Sequence, residues 1–171
     1  IRDWHSMVAY IPQDTFCLDG SVSANICLES PTPSERDSKL SRAVSQARLD
    51  ALISGLESGI DTKIGEKGVK ISGGQKQRMA LARALYHDRS VLILDEATSA
   101  LDSISEKLIQ EALENMHQAR TVLVIAHRLS TIANADNIIV LNQGRIVEQG
   151  RKDDLIDRGG EFAKLWNLQT R

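Results

Sequence analysis

Aromatic residues are scarce in this 171-residue chain: two Trp, two Tyr and two Phe make up 4% of it. A core built from such a chain has to be aliphatic, and a hydrophobic content of 42% allows that. Long apolar runs are also missing. The longest, 121–126 and 138–141, fall far short of the roughly 20 residues that a membrane-spanning helix needs. Neither sign of charge dominates, with 21 basic residues against 23 acidic ones and a formal net charge of −2. That balance argues against the basic footprint of a nucleic-acid binder, so no nucleic-acid partner is expected. Cysteine is limited to Cys17 and Cys27, with no CxxC and no His cluster, which reads as two reduced or buried thiols rather than a disulfide framework or a zinc site. No internal repeat, low-complexity tract or long linker is present. The length fits one domain, or one large piece of one.

What is present begins with Ile71-Ser72-Gly73-Gly74-Gln75-Lys76-Gln77-Arg78. Two adjacent glycines ahead of a basic, helix-forming stretch make an anion site. With no side chains they let backbone N–H groups approach a phosphate, and the helix N-terminus behind them carries partial positive charge. The same residues could simply be a glycine turn that starts a helix. Further on, Val91-Leu92-Ile93-Leu94 runs into Asp95-Glu96. An apolar run of this kind reads as a buried strand, and ligands of open α/β sheets gather at the C-terminal ends of such strands. Side chains alternate along a strand, so adjacent carboxylates at its end face different ways, one towards a metal and the other towards an attacking water. A solvated acidic turn is the plainer alternative. Phosphate grip plus carboxylates points to nucleotide hydrolysis. Yet no G-x-x-x-x-G-K-[ST] loop occurs, and Gly65-Glu66-Lys67-Gly68 has the wrong spacing. Such a loop wraps the β-phosphate with backbone amides. The expectation is therefore the C-terminal part of a nucleotide-binding domain, with the phosphate-loop strand and helix upstream.

The order of these motifs resembles the nucleotide-binding domains of ABC transporters over nearly all of residues 1–168. The segment from Ser72 to Arg78, followed by Met79-Ala80-Leu81-Ala82-Arg83-Ala84-Leu85, is similar to the family's signature motif, with Ile71 in place of the usual Leu. The resemblance implies that Ser72, Gly73, Gly74 and Gln75 grip the γ-phosphate of ATP held by a second domain. It implies that Asp95 organises Mg²⁺ and that Glu96 is the general base or water-orienting group. Asp102, in Ser99-Ala100-Leu101-Asp102, resembles the D-loop aspartate that couples two sites across a dimer; it could also cap the next helix. His127 matches the switch histidine that bonds the γ-phosphate. Gln13 matches the Q-loop glutamine, which touches Mg²⁺ and the attacking water, with a loop behind it that meets the membrane domain. His5, His87 and His117 match nothing and read as surface residues.

The segment 62–68 looks like the exporter X-loop, and 16–26 like the exporter Q-loop region. The resemblance thus implies a P-loop NTPase-like α/β fold, a mostly parallel sheet with flanking helices and a helical, signature-bearing subdomain, lacking its N-terminal part. The expected divisions are 1–28 (Q-loop region), 29–88 (helical subdomain) and 89–171 (rest of the catalytic core). The implied cofactors are ATP and Mg²⁺. The implied partners are a second nucleotide-binding domain, as homodimer or pseudo-dimer, and a transmembrane domain on the same chain, at the cytoplasmic face of a membrane. The implied activity is ATP-driven export or flipping of a lipid, glycolipid or drug-like substrate. Two alternatives stay open: a soluble ABC-type ATPase, which would want coiled-coil insertions or basic arms, and a binding or regulatory module that lacks the phosphate loop.

Periodicity predicts strands over 7–11, 91–94, 121–126 and 138–141, the last three buried, with 145–148 pairing back across Asn142-Gln143-Gly144. Helices are expected over 22–28, 35–48, 49–56, 74–87, 103–116, 152–157 and 161–168, with a break over 30–34. Ser103 and Glu106 are expected to form a capping box. Strands alternating with helices predict a mostly parallel sheet.

Overall fold

The structure, a computed structural model, describes residues 2–28, 36–65, 69–96, 103–114, 120–126 and 128–169. The expected break at 30–34 lies outside them. The chain forms two compact units, Ile1–Ile125 and Ala126–Arg171.

The first unit opens with helix α1 (Arg2–Met7), which runs directly into strand β1 (Val8–Ile11). A short strand β2 (Gly20–Ser21) leads into α2 (Val22–Cys27). A π-helical turn, Arg36–Leu40, continues as α3 (Ser41–Gln46), and α4 (Asp50–Ser54) follows. Strand β3 (Lys63–Ile64) precedes the long helix α5 (Gly73–Tyr86), then β4 (Val91–Asp95), α6 (Ser103–Glu114) and β5 (Thr121–Ile125). The sequence predicts one helix over 35–48. The structure instead ends it at Gln46, because Arg48 takes a left-handed φ of 55°. The Arg48 carbonyl then points outwards from the helix ladder and accepts a bond of 2.6 Å from the buried Arg78 guanidinium. The break is where the end of α3 is pinned to α5.

Three strands form the parallel sheet, in the order β1-β4-β5. Ile11 registers with Leu94, and Asp95 with Ile125. Alternation separates its faces. Ile11, Leu92 and Leu94 are buried, with Ala9, Val122 and Val124 packed beside them, against Met79, Leu81, Ala82 and Leu85 of α5 and Ile109, Ala112 and Leu113 of α6. Each large aliphatic so enclosed contributes about 1.5–3 kcal/mol relative to exposure. The opposite face is open: Tyr10 is 57% exposed, Leu123 50% and Ile125 48%. Strand β5, expected to be buried, is covered on one face only.

The two-residue ladder of β2 with β3 is antiparallel. It ties residues 63–64 to the segment before α2, reinforced by the Val22 N–H donating to the Thr62 carbonyl at 3.1 Å. Gly65 permits this. Its φ is +110°, and a Cβ there would stand 3.1 Å from Asp19 Cα and 3.3 Å from the Leu18 carbonyl oxygen. Helix α6 begins at Ser103; the side chain on which the expected Ser103–Glu106 capping box rests lies outside the described residues.

In the second unit, β6 (Ile138–Asn142) pairs antiparallel with β7 (Arg145–Gly150). The sequence reading made 138–141 a third buried strand of the parallel sheet. It lies instead in this separate two-stranded sheet, and only Ile138 within it is buried. The turn Gln143-Gly144 has φ of 49° and 74°, the paired left-handed residues that match the twist of a tight hairpin. Helices α7 (Lys152–Asp157) and α8 (Glu161–Gln169) follow. Leu129, Ile138, Leu155 and Phe162 form a small core. Both Glu148 carboxylate oxygens accept from the first N–H groups of α8, at Glu161 and Phe162, each at 2.9 Å, a side-chain cap supplied from the neighbouring strand.

Candidate functional site

Helix α5 starts in the glycine motif. Ser72 is its N-cap, with extended backbone, and a full capping box surrounds it. The Ser72 Oγ accepts from the Gln75 N–H at 3.3 Å, and the Ser72 N–H donates to Gln75 Oε1 at 2.8 Å. The polar contacts of Ser72 and Gln75 are therefore with each other. The Ser72 hydroxyl, used only as an acceptor, keeps its own proton to donate outwards. Gly73 is exposed, and a Cβ built on it would meet nothing within 4 Å. Gly74 is buried. The start of α5 thus leaves Gly73 and one hydroxyl proton open to solvent at the positive end of the helix, which suits an anion.

The carboxylate pair is at the far end of β4. Asp95 is its last residue, on the open face of the sheet, half-exposed. The Tyr10 phenol donates to Asp95 Oδ2 at 2.7 Å. Among the described residues Oδ1 has no hydrogen-bond partner. The phenol pKa is raised by this bond first, then by burial and by the Asp95 charge. Glu96 leaves the strand with φ of +48° while its N–H still bonds the Ile125 carbonyl at 2.9 Å. The backbone turns left-handed at Glu96, so the strand alternation expected to part the two carboxylates does not continue through both residues. A non-glycine residue held in that region is strained, and such strain collects at functional sites.

Gln13 lies just past β1, and the register Ile11 with Leu94 brings the exits of β1 and β4 to one edge of the sheet. Its loop is held from two sides. Asn25, fully buried, accepts from the Leu18 N–H at 2.7 Å and donates to the Leu18 and Ser21 carbonyls, each at 3.0 Å. From α5, the buried Gln77 donates to the Gln13 carbonyl at 3.3 Å, and the Arg83 guanidinium lies 4.6 Å over the Phe16 ring while bonding the Asn25 carbonyl at 2.9 Å. Burial lowers the Arg83 pKa. The loop that carries Gln13 and helix α5 are one hydrogen-bonded assembly, with a cleft of about 270 Å³ beside it lined by Tyr10, Phe16, Arg83 and Arg89, among others.

The structure therefore brings Gln13, Asp95 and Glu96 to one sheet edge and sets Ser72, Gly73, Gly74 and Gln75 at the head of α5. Asp102 and His127, also expected at the site, lie outside the described residues. Sequence reasoning passes over Tyr10, and it places Gln77 and Asn25 only within the segments that resemble the family, with no role of their own. Gln77 sits inside the signature string itself. Tyr10 could be found only through the parallel register of β1 with β4, which no local pattern reveals. Among the described residues no cluster of three or more metal-ligating side chains exists.

Parallel strands ending in a carboxylate pair, beside a helix that opens on a capped glycine pair, define an α/β nucleotide-binding domain. The ABC transporter family profile matches residues 1–99, and the chain belongs to that family. It is 48% identical to an ATP-dependent lipid A-core flippase of Ralstonia nicotianae over 170 residues, which is 99% of this chain and 29% of that protein. It is also 48% identical to the heterocyst differentiation ATP-binding protein HepA of a Nostoc species, over 99% of this chain and 28% of that one. Among solved structures, a bacterial Atm1-family ABC exporter with ATP bound superposes with a TM-score of 0.87 at 38% identity, over 99% of this chain and 30% of that one. The chain thus spans less than a third of the length of these relatives.

Proposed function

We propose that this chain is the ATP-hydrolysing motor part of an ABC exporter, coupling ATP turnover to the export or flipping of a lipid, glycolipid or drug-like substrate. The observation that carries the reading is the end of β4, where Asp95 turns an oxygen without a described partner to the open sheet face and Glu96 is held left-handed beside it. In this reading Asp95 organises Mg²⁺. The residues fit that ion: it commonly takes one or two carboxylates and completes its shell with water and substrate phosphates, so a lone half-exposed Asp suffices. Bound there, the ion neutralises charge on the transferred phosphate. Glu96 orients the attacking water and takes its proton, with Gln13 at the same edge; the roles implied for His127 and Asp102 rest on their motifs alone.

Ser72 to Gln75 serve the nucleotide of a second such domain. The Ser72 and Gln75 side chains each accept from the other residue's backbone N–H, and Gly73 between them is open on its outward side, which suits a ligand arriving from another molecule. A phosphate-binding loop is supplied by a segment of the longer protein outside this chain, and its helix covers the open face that exposes Tyr10, Leu123 and Ile125. The transmembrane domain, carried on the same longer chain, seats a segment in the cleft beside Phe16. Movement there reaches α5 through Gln77 and Arg83. No described helix is long and apolar enough to cross a membrane, so the attachment to the cytoplasmic face of a membrane comes from that domain.

The test is Glu96→Gln in the full-length protein. ATP should still bind while turnover falls by about a hundredfold, the scale of a lost general base, and the nucleotide domains should be trapped closed around ATP. Turnover at the unaltered rate would refute the role of Glu96 and, with it, the reading of the strand end.

A further inference from the structure

Tyr10 is given no catalytic or ligand-binding part above, yet its phenol donates to the carboxylate on which the proposed function turns. It pairs across the ladder with Ile93, so its side chain and that of Asp95 are diagonal neighbours on the same face of the sheet. An aspartate at the end of a strand is otherwise free to rotate its carboxylate, and only one of its orientations serves a ligand. The phenol holds Oδ2 at 2.7 Å. Among the described residues nothing holds Oδ1. More than half of the Tyr10 surface is exposed, so burial in this chain does not account for its place; the bond to Asp95 is the polar contact it makes.

We propose that Tyr10 is a positioning residue: its phenol fixes one oxygen of Asp95 so that the other is presented to the divalent cation of the nucleotide. The inference rests on the proposed role of Asp95. Groups that orient a metal-binding carboxylate typically matter to metal affinity by ten- to a hundredfold, and an exposed partner belongs at the lower end.

The experiment uses the full-length protein with Glu96→Gln, so that nucleotide persists, and titrates Mn²⁺ in the presence of ATP by electron paramagnetic resonance. Tyr10→Phe should weaken Mn²⁺ binding by about tenfold, while ATP binding measured in a metal chelator stays as it was. Tyr10→Leu, which also removes the ring, should weaken Mn²⁺ binding no further. Asp95→Asn separates the two layers of the argument. If it leaves Mn²⁺ binding intact, the assignment of Asp95 itself is overturned. If it weakens Mn²⁺ but Tyr10→Phe does not, the positioning role is overturned, and the same holds if only the leucine variant has an effect.

Discussion

Ser72 has two possible duties, and substitution can separate them. As the N-cap of α5 it accepts from the Gln75 N–H. As a phosphate ligand it would donate its hydroxyl proton to ATP on a second domain. Ser72→Ala removes both. Loss of an N-cap side chain costs about 1 kcal/mol, which corresponds to roughly fivefold faster hydrogen exchange at the Gln75 amide. The other half of the capping box, Ser72 N–H to Gln75 Oε1 at 2.8 Å, uses only backbone at position 72 and survives any substitution there except proline. Ser72→Asp restores the acceptor and places a negative charge at the positive end of a 14-residue helix, worth about 0.3–1 kcal/mol in its favour. Helix protection should therefore run Asp at least equal to Ser, and both above Ala.

Closure around ATP should follow a different order. An aspartate about 4 Å from a phosphate charge is disfavoured by roughly 4 kcal/mol at an effective dielectric of about 20, close to a thousandfold in the closure equilibrium. Ser72→Ala loses only a hydrogen bond and should fall between. The assay is the full-length protein with Glu96→Gln, hydrogen exchange of the peptide around Gln75 to read the cap, and spin-label distances between the two nucleotide domains to read closure. If Ser72→Asp closed on ATP as readily as serine does, Ser72 would be a helix cap and nothing more.

Two further expectations concern the loop that carries Gln13. Asn25→Ala removes a fully buried amide and leaves the part-buried Leu18 N–H and the Leu18 and Ser21 carbonyls without its bonds, so unfolding in denaturant should show a loss of about 1–3 kcal/mol; a loss below about 0.5 kcal/mol would mean that water replaces the amide there. Burial raises the Cys17 thiol pKa, with Lys76 and Arg83 opposing it. A raised pKa means less thiolate at a given pH, so iodoacetamide should label Cys17 more slowly at pH 8 than it labels a free thiol and the rate should climb at higher pH, and labelling at the free-thiol rate would contradict the burial.

Much of the site was legible because its chemistry is local in sequence. Asp95 and Glu96 follow an apolar run that could only be a strand, and the Ser-Gly-Gly-Gln string precedes a helix former. What was not legible depends on pairings between distant segments. The two-residue ladder of β2 with β3 joins Gly20 to Ile64, and no period can declare itself in two residues. Helix α1 has only six residues, less than two full turns, and the sequence pattern places its last residue, Met7, in the strand that follows. For 138–142 the apolar run gave the strand but not its partner, and the hairpin turn at Gln143-Gly144 decided that. The helix over 35–48 ended early because Arg48 turned left-handed to meet Arg78, a tertiary contact that overrode helical preference.

The exposed side chains of the sheet show the same limit from another direction. A run such as 121–126 reads as buried on both sides, since parallel strands are normally covered on both faces. Here Val122 and Val124 reach the core while Leu123 and Ile125 stand half in solvent. The sequence pattern thus reports a strand suited to cover on both faces, and the structure of this chain covers one. The mismatch falls on one face alone, the face onto which Asp95 turns its carboxylate and Tyr10 its phenol. A segment that covered Leu123 and Ile125 would necessarily lie against that carboxylate. If that segment is the phosphate-binding helix proposed above, a single packing event both removes the exposed aliphatic surface from water and delivers a nucleotide phosphate to Asp95.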